Sequence, residues 1–274
     1  MKKFIIFIEI FATILLSSCV NDHEEKPDQN RPINITVLLD LSDRIERDNI
    51  IPNQKTRDIA LVNYIGSKFK NHAIKGGKLT ISKDHLKVMF YPDPKISQVS
   101  VIAKNLDINL AKLNPAEKKM HLMGMDSVFN EGLEILYSKT LKDQNWVGCD
   151  IWGFFSDKKV DNFCMTDSTR NILIILTDGY LYHINNKIQE NESYSYITSK
   201  TADSPNSKLI VRRNGLENLE VLVLEVNPMK PAHFNKIQTT IEEWLGAMGV
   251  EKKMVVETDM TNNIEDVIDH FLGF

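Results

Sequence analysis

The chain has 274 residues, enough for one large α/β domain or two small ones with a sizeable core. Its composition, 42% hydrophobic and 26% charged, excludes general disorder. A formal charge of −4, with no lysine–arginine cluster interleaved with aromatics, argues against a nucleic-acid partner.

Residues 1–18 read as a targeting segment and stand outside the fold. Lys2 and Lys3 precede an apolar stretch, Phe4–Ser18, interrupted only by Glu9. The stretch is short for a bilayer-spanning helix, which needs about 20 residues. It ends in Leu16-Ser17-Ser18-Cys19, which resembles the lipobox of bacterial lipoproteins. That resemblance implies cleavage before Cys19 and acylation of its thiol, palmitate being one expected chain. The polar run Val20–Arg31 then completes a flexible tether over 19–31. Its acidic cluster resembles export signals of surface lipoproteins, although a solvated linker has the same composition. The expected location is the bacterial cell envelope, lipid-anchored, at the outer membrane or cell surface rather than the inner membrane.

The domain, residues 32–274, opens on ITVLLDLSDR, Ile35–Arg44. Its apolar run is that of a strand buried on both faces, with Asp40, Ser42 and Arg44 at alternate positions beyond. Thr56–Phe69 carries Leu61, Val62, Ile65 and Phe69 on one helical stripe. Gly76-Gly77-Lys78 breaks the chain but lacks the spacing of a phosphate loop. Leu86–Tyr91 reads as a second strand, and Asn105–Leu113 alternates like a half-buried edge strand. A helix follows with Val128, Phe129, Leu133, Leu136 and Tyr137 as its apolar positions, and Asp126 or Ser127 suits its N-cap. Asp150–Phe155 reads as a third core strand. Asn171–Gly179, NILIILTDG, repeats the opening pattern and delivers Asp178 at its tip. An inserted polar segment at about 180–218 is long for a connection, which marks it as functional or mobile. Val221–Val226 is another buried strand, Phe234–Met248 an amphipathic helix, Met254–Glu257 a short strand, and Ile264–Phe271 a closing helix. Alternating strands and helices predict an α/β fold: a doubly wound, mostly parallel sheet with helices on both faces and one antiparallel edge strand.

Three cysteines occur. With Cys19 acylated, Cys149 and Cys164 form either a disulfide or two buried thiols, and spacing alone leaves both open.

From Pro32 to Phe274 the chain resembles the von Willebrand factor A family. Strand order, helix spacing and both acidic strand ends carry the likeness. The family implies a metal-ion-dependent adhesion site on the upper face of the sheet. Its first motif, Asp-x-Ser-x-Ser, maps onto Asp40 and Ser42; its third, in a Thr-Asp-Gly turn, maps onto Asp178. Its second, a Thr before a helix, maps onto Ser127 ahead of Gly132–Leu133, with Asp126 a competing ligand. The implied cation is Mg²⁺, with Mn²⁺ or Ca²⁺ as alternatives. Arg44 holds the place of the second motif serine. A guanidinium cannot ligate a cation; it either takes the metal's place beside Asp40 and Asp178 or points away.

The resulting expectation is a membrane-anchored binding module that recognises a protein, or another envelope or extracellular ligand bearing an acidic group. Two alternatives stand beside it: a metal-free scaffold subunit of an envelope assembly, and a metal-dependent hydrolase of phosphoesterase type. Against the hydrolase, haloacid-dehalogenase-type phosphatases need a second Asp where Ser42 stands, and the seven His are scattered. No catalytic residue and no organic cofactor are assigned.

Overall fold

The structure, a computed structural model, describes residues 31–46, 52–92, 97–142, 149–180, 189–190, 193–194, 215–228 and 230–274. The targeting segment, Cys19 and the tether lie outside the described residues, apart from Arg31. So does most of the segment at 180–218, and with it the expectation of mobility there. Among the described residues, no helix is long and apolar enough to cross a membrane.

The chain is α/β. Six strands form one sheet: β1 (Ile33–Leu39), β2 (His85–Met89), β3 (Asp107–Asn109), β4 (Arg170–Leu176), β7 (Leu219–Val226) and β8 (Lys253–Glu257). Their order is β3-β2-β1-β4-β7-β8, and every pair is parallel except β2 with β3 at one edge. Within the inserted segment, β5 (Gln189–Glu190) and β6 (Ser193–Tyr194) pair antiparallel. Among the described residues the α-helices are α1 (Gln54–Ile74), α2 (Ser97–Asn105), α3 (Pro115–Thr140), α4 (Ile151–Ser156), α5 (Lys159–Cys164), α6 (Phe234–Ala247) and α7 (Thr261–Leu272).

Side chains alternate across a strand, so a strand buried on both faces serves two cores. On β4, Ile172, Ile174 and Leu176 join one cluster with apolar residues of α1, α2, α3 and α7. Leu173 and Ile175 join the other, with Phe154 and Phe155 of α4, Val160 of α5, and Ile241, Trp244 and Leu245 of α6.

Two elements differ from expectation. The apolar run at 151–155 is helix α4, not a strand: Asp150 Oδ1 accepts from the Gly153 N–H at 2.7 Å and starts a helical turn. Phe154 packs edge-on to Phe155, and Phe155 to Trp244, so the short helix is buried nearly all round. A helix buried in this way shows a continuous apolar run, as an inner strand does. The long helix α3 starts at Pro115, well before Ser127. Asn114 caps it in a reciprocal arrangement, accepting from the Glu117 N–H while its own N–H bonds the Glu117 carboxylate.

Candidate functional site

The tips of β1 and β4 are joined by their own side chains. The Asp40 N–H donates to the Leu176 carbonyl at 2.9 Å, which extends the pairing one residue past β1. Asp40, 2% exposed, accepts from the Ser42 N–H at 2.9 Å through Oδ1 and from the Thr177 hydroxyl at 2.7 Å through Oδ2. Asp178 is also buried and accepts from the Tyr180 N–H at 3.1 Å. Gly179 permits this turn: its φ is +92°, and a Cβ there would meet Ile237 at 2.7 Å and Val226 at 2.9 Å.

Arg44 lies beneath these tips, 2% exposed, in a single 3-10 turn Asp43–Glu46. Nε donates to the Asp40 carbonyl at 2.8 Å and Nη2 to the Leu176 carbonyl at 3.0 Å. Its short ion pair is with Asp58 on α1, Nη2 to Oδ2 at 2.6 Å, whereas the Asp40 carboxylate stands 3.9 Å from Nε. The guanidinium therefore clamps β1, β4 and α1 together. Burial works against its charge, but Asp58 and Asp40 outweigh burial and raise its pKa. Burial pushes the Asp58 carboxyl up, opposed by Arg44 and by hydrogen bonds from Tyr137 and Gln54.

A second buried pair lies alongside, which the sequence reading did not single out. Arg57 donates to Glu225 through Nε at 2.8 Å and Nη2 at 2.7 Å, and also to the Asp259 carbonyl. Gln54 links the two pairs, donating to Asp58 at 2.8 Å and to Glu225 at 3.0 Å. Glu225 reaches this position through an irregularity at the end of β7. Leu222 and Leu224 face the α1 side, so strict alternation would send residue 225 to the other face. Instead Glu225 takes φ +66° at a register shift in the β7–β8 pairing. Its carboxylate turns toward α1, and Val226 packs into the opposite core. The one sign in the sequence is a glutamate inside the apolar run VLVLEV.

Of the residues expected to converge, Asp40, Ser42 and Asp178 stand on adjacent strand tips; Ser127 does not join them. It is exposed on α3, and its hydroxyl bonds Glu131 on the same helix at 2.9 Å. Tyr137, ten residues on, is the part of α3 that reaches Asp58. At about 1.5 Å per residue, Ser127 lies about 15 Å down the helix from that level. Asp126 is exposed beside it and pairs with Lys70 at 3.4 Å. The residues that lead into a helix near the strand tips are Cys149 and Asp150, ahead of α4. Burial pushes the Cys149 thiol up, and the charges of Asp40, Asp150 and Asp178 add to this against Arg44. Reading 150–155 as a strand hid Asp150.

The donor set consequently differs from an adhesion-type metal site. The second-motif hydroxyl is elsewhere, the second serine is a buried arginine, and both Asp40 oxygens are hydrogen-bonded. Among the described residues, no group of three or more His, Cys, Asp or Glu side chains is arranged to hold a metal ion. With Ser127 elsewhere and Arg44 in the second serine's place, two of the hydroxyl donors that an adhesion-type site would use are absent from these tips, while Asp40, Ser42 and Asp178 remain.

Cys149 and Cys164 are separate buried thiols, not a disulfide. The Cys164 carbonyl accepts from the Asn34 side chain at 2.9 Å, near the start of β1, whereas Cys149 lies near Asp40 past its end. Six residues of strand, roughly 20 Å, separate those levels, and a disulfide needs Cα atoms within about 7 Å. Burial pushes the Cys164 thiol up to about 12.

No family model matches the chain, and no curated protein matches it. Among solved structures it is similar to the pilus adhesin SpaC from Lactobacillus rhamnosus GG in its open conformation, at 11% identity and a TM-score of 0.41. The likeness covers 88% of this chain and 29% of that adhesin's length.

Proposed function

We propose that the chain is a lipid-anchored binding module of the von Willebrand factor A type, doubly wound, that presents the carboxyl edge of its sheet to a protein or other envelope ligand. In this reading the edge is held together without a metal. The observation that carries it is Arg44, whose guanidinium bonds the carbonyls at both strand tips and the carboxylate of Asp58. A buried cation thus occupies the place of a metal-binding serine and does a cation's work of joining β1 to β4. The two cores on opposite faces of the sheet support the doubly wound arrangement. A binding role is preferred to a hydrolytic one because Asp40, the carboxylate a phosphoesterase would use first, is buried with both oxygens accepting hydrogen bonds.

The alternative, a Mg²⁺-dependent face that takes an acidic group, is favoured by Asp40, Ser42 and Asp178 standing on neighbouring tips. Calorimetry on the parent and Arg44→Ser proteins, with and without millimolar Mg²⁺, separates the two. The metal-free reading expects no shift in the parent and a loss of about 3–5 kcal/mol in Arg44→Ser, the cost of leaving Asp58 buried without its cation. A rise in the parent's melting temperature on adding Mg²⁺, abolished by Asp178→Ala, would establish the metal instead.

A further inference from the structure

β1 is the strand nearest the tether in sequence, and it is held at both of its ends. It lies between β2 and β4, is buried along its whole length, and pairs parallel with both neighbours. With β4 it keeps register from Ile33↔Arg170 to Leu39↔Leu176. Its central place comes with the topology; the bonds at its two ends come from particular residues of this chain. At the start, the Ile33 N–H donates to the buried Asp84 carboxylate at 2.8 Å, and the Pro32 carbonyl accepts from the Arg170 N–H at 2.8 Å. Asp84 is fixed in turn by the Ser82 hydroxyl at 2.8 Å and by His72 at 3.3 Å. At the far end, Arg44 bonds the carbonyls of Asp40 and Leu176 and pairs with Asp58 of α1.

A lipid-anchored binding module is pulled from two places. The membrane pulls at Arg31 and Pro32, and a partner on the carboxyl edge pulls near Asp40 and Asp178. Those points stand at opposite ends of β1, so tension runs along the strand. The bonds of a parallel ladder are evenly spaced, so a pull along the strand loads them together. Burial leaves no water at hand to replace a strained backbone bond. A tether that entered an edge strand, such as β8, would peel its bonds one at a time. The amino end of the domain offers such a weaker route at α7. The Phe271 carbonyl accepts from Arg170 at 3.0 Å and from Lys252 at 3.1 Å, and the Leu272 carbonyl accepts from Arg170. A pull on that end of α7 meets these contacts one after another.

We propose that the domain is a mechanical link, in which β1 carries tension between the membrane tether and a partner held at the carboxyl edge. Asp84 and the Arg170 N–H secure the strand at its start, and Arg44 secures it at its tip. The proposal rests on the lipid-anchored binding reading given above.

Optical-tweezers measurements on the full acylated chain in detergent test it. Cys149 and Cys164 are buried, so handles attach at placed cysteines: Arg31→Cys with Tyr180→Cys, just past β4, or Arg31→Cys with His270→Cys on α7. The first pair of handles loads β1 lengthwise against β4, and the second loads the amino end of the domain. Each backbone hydrogen bond that must break in concert lengthens the lifetime under load roughly fivefold. With three or more breaking together, the 31–180 pair should outlast the 31–270 pair by at least about a hundredfold at equal force. Arg44→Lys keeps the charge but loses the fork, and should shorten the 31–180 lifetime about tenfold while leaving the 31–270 lifetime within about twofold. Equal lifetimes in the two geometries overturn the proposal, and so does 31–180 unfolding in a series of small steps. Should Arg44→Lys fail to fold, the two geometries of the parent still decide. Flotation of the same protein with lipid vesicles reports the anchor separately. Failure to float sinks the anchored reading and the link together; floating with equal lifetimes sinks the link alone.

Discussion

Each end of the sheet pairs an arginine with a glutamate, but only the carboxyl edge links its buried charges into one network. At the carboxyl edge, Arg44, Arg57, Asp58 and Glu225 are all buried and bonded to one another through Gln54. At the amino edge several lysines are exposed, and the buried charges are not joined in one network: Asp84 bonds the Ile33 N–H, Ser82 and His72, Lys118 donates to the carbonyls of Thr80 and Ser82, and Arg170 pairs with Glu220. A buried ion pair is weakly favourable as a pair but costly to break, so it fixes position. Exposed charge contributes little to folding and is screened by salt within about 10 Å. The carboxyl edge is thus held by one linked network of buried charges, and the amino edge by separate buried groups.

The comparison is broken most severely at Arg57. Arg57→Ala strands the Glu225 carboxylate in a site that is fully buried and held at a left-handed φ of +66°. The expected loss is about 3–5 kcal/mol in urea unfolding. A loss below about 1 kcal/mol would mean that the pair is not the clamp described here.

At the other end, Asp84→Asn should cost about 1–3 kcal/mol at neutral pH, because the Ile33 N–H, Ser82 and His72 lose a charged acceptor. Burial alone would push Asp84 up, yet the hydrogen bonds from His72, Ile33 and Ser82 outweigh it and hold the carboxyl below its ordinary range. A depressed folded pKa contributes stability that is complete above the unfolded value, about 3.9, and is lost as the pH falls through the folded value. The gap between parent and Asp84→Asn should therefore narrow on acidification below about pH 4. A gap that stays constant down to the acid transition would count against the bonded carboxylate.

Legibility from sequence follows the same division. Strands β1, β4 and β7 were readable because burial on both faces leaves unbroken aliphatic runs, and α6 and α7 because one apolar stripe repeats at helical spacing. Asp40 and Asp178 were readable because each directly ends such a run. The buried network was not: Arg57 and Glu225 are 168 residues apart, and nothing local announces a pair that only the folded sheet creates. The helix at 151–156 was missed because six mostly apolar residues fit a strand equally well, and its N-capping aspartate was absorbed into the run. Ser127 was misplaced for a related reason. The Gly132–Leu133 pair on α3 matched a pattern, but the helix that starts near the strand tips, α4, comes later in the chain.

The smallest effect sharpens that last point. Asp150 and Ser127 are rival occupants of one role, the polar group that leads a helix at the strand tips. Asp150 caps α4 through the Gly153 N–H, and Gly153 leaves room for it, since a Cβ there would sit 2.4 Å from an Asp150 carboxylate oxygen. Asp150→Ala should cost about 1 kcal/mol, the usual loss of an N-cap. Ser127 is exposed and bonded only along its own helix, so Ser127→Ala should stay within about 0.5 kcal/mol. It should also leave the response to Mg²⁺ unchanged. Paired thermal melts of the two variants test the assignment directly: a Ser127→Ala cost equal to that of Asp150→Ala would return Ser127 to the strand tips.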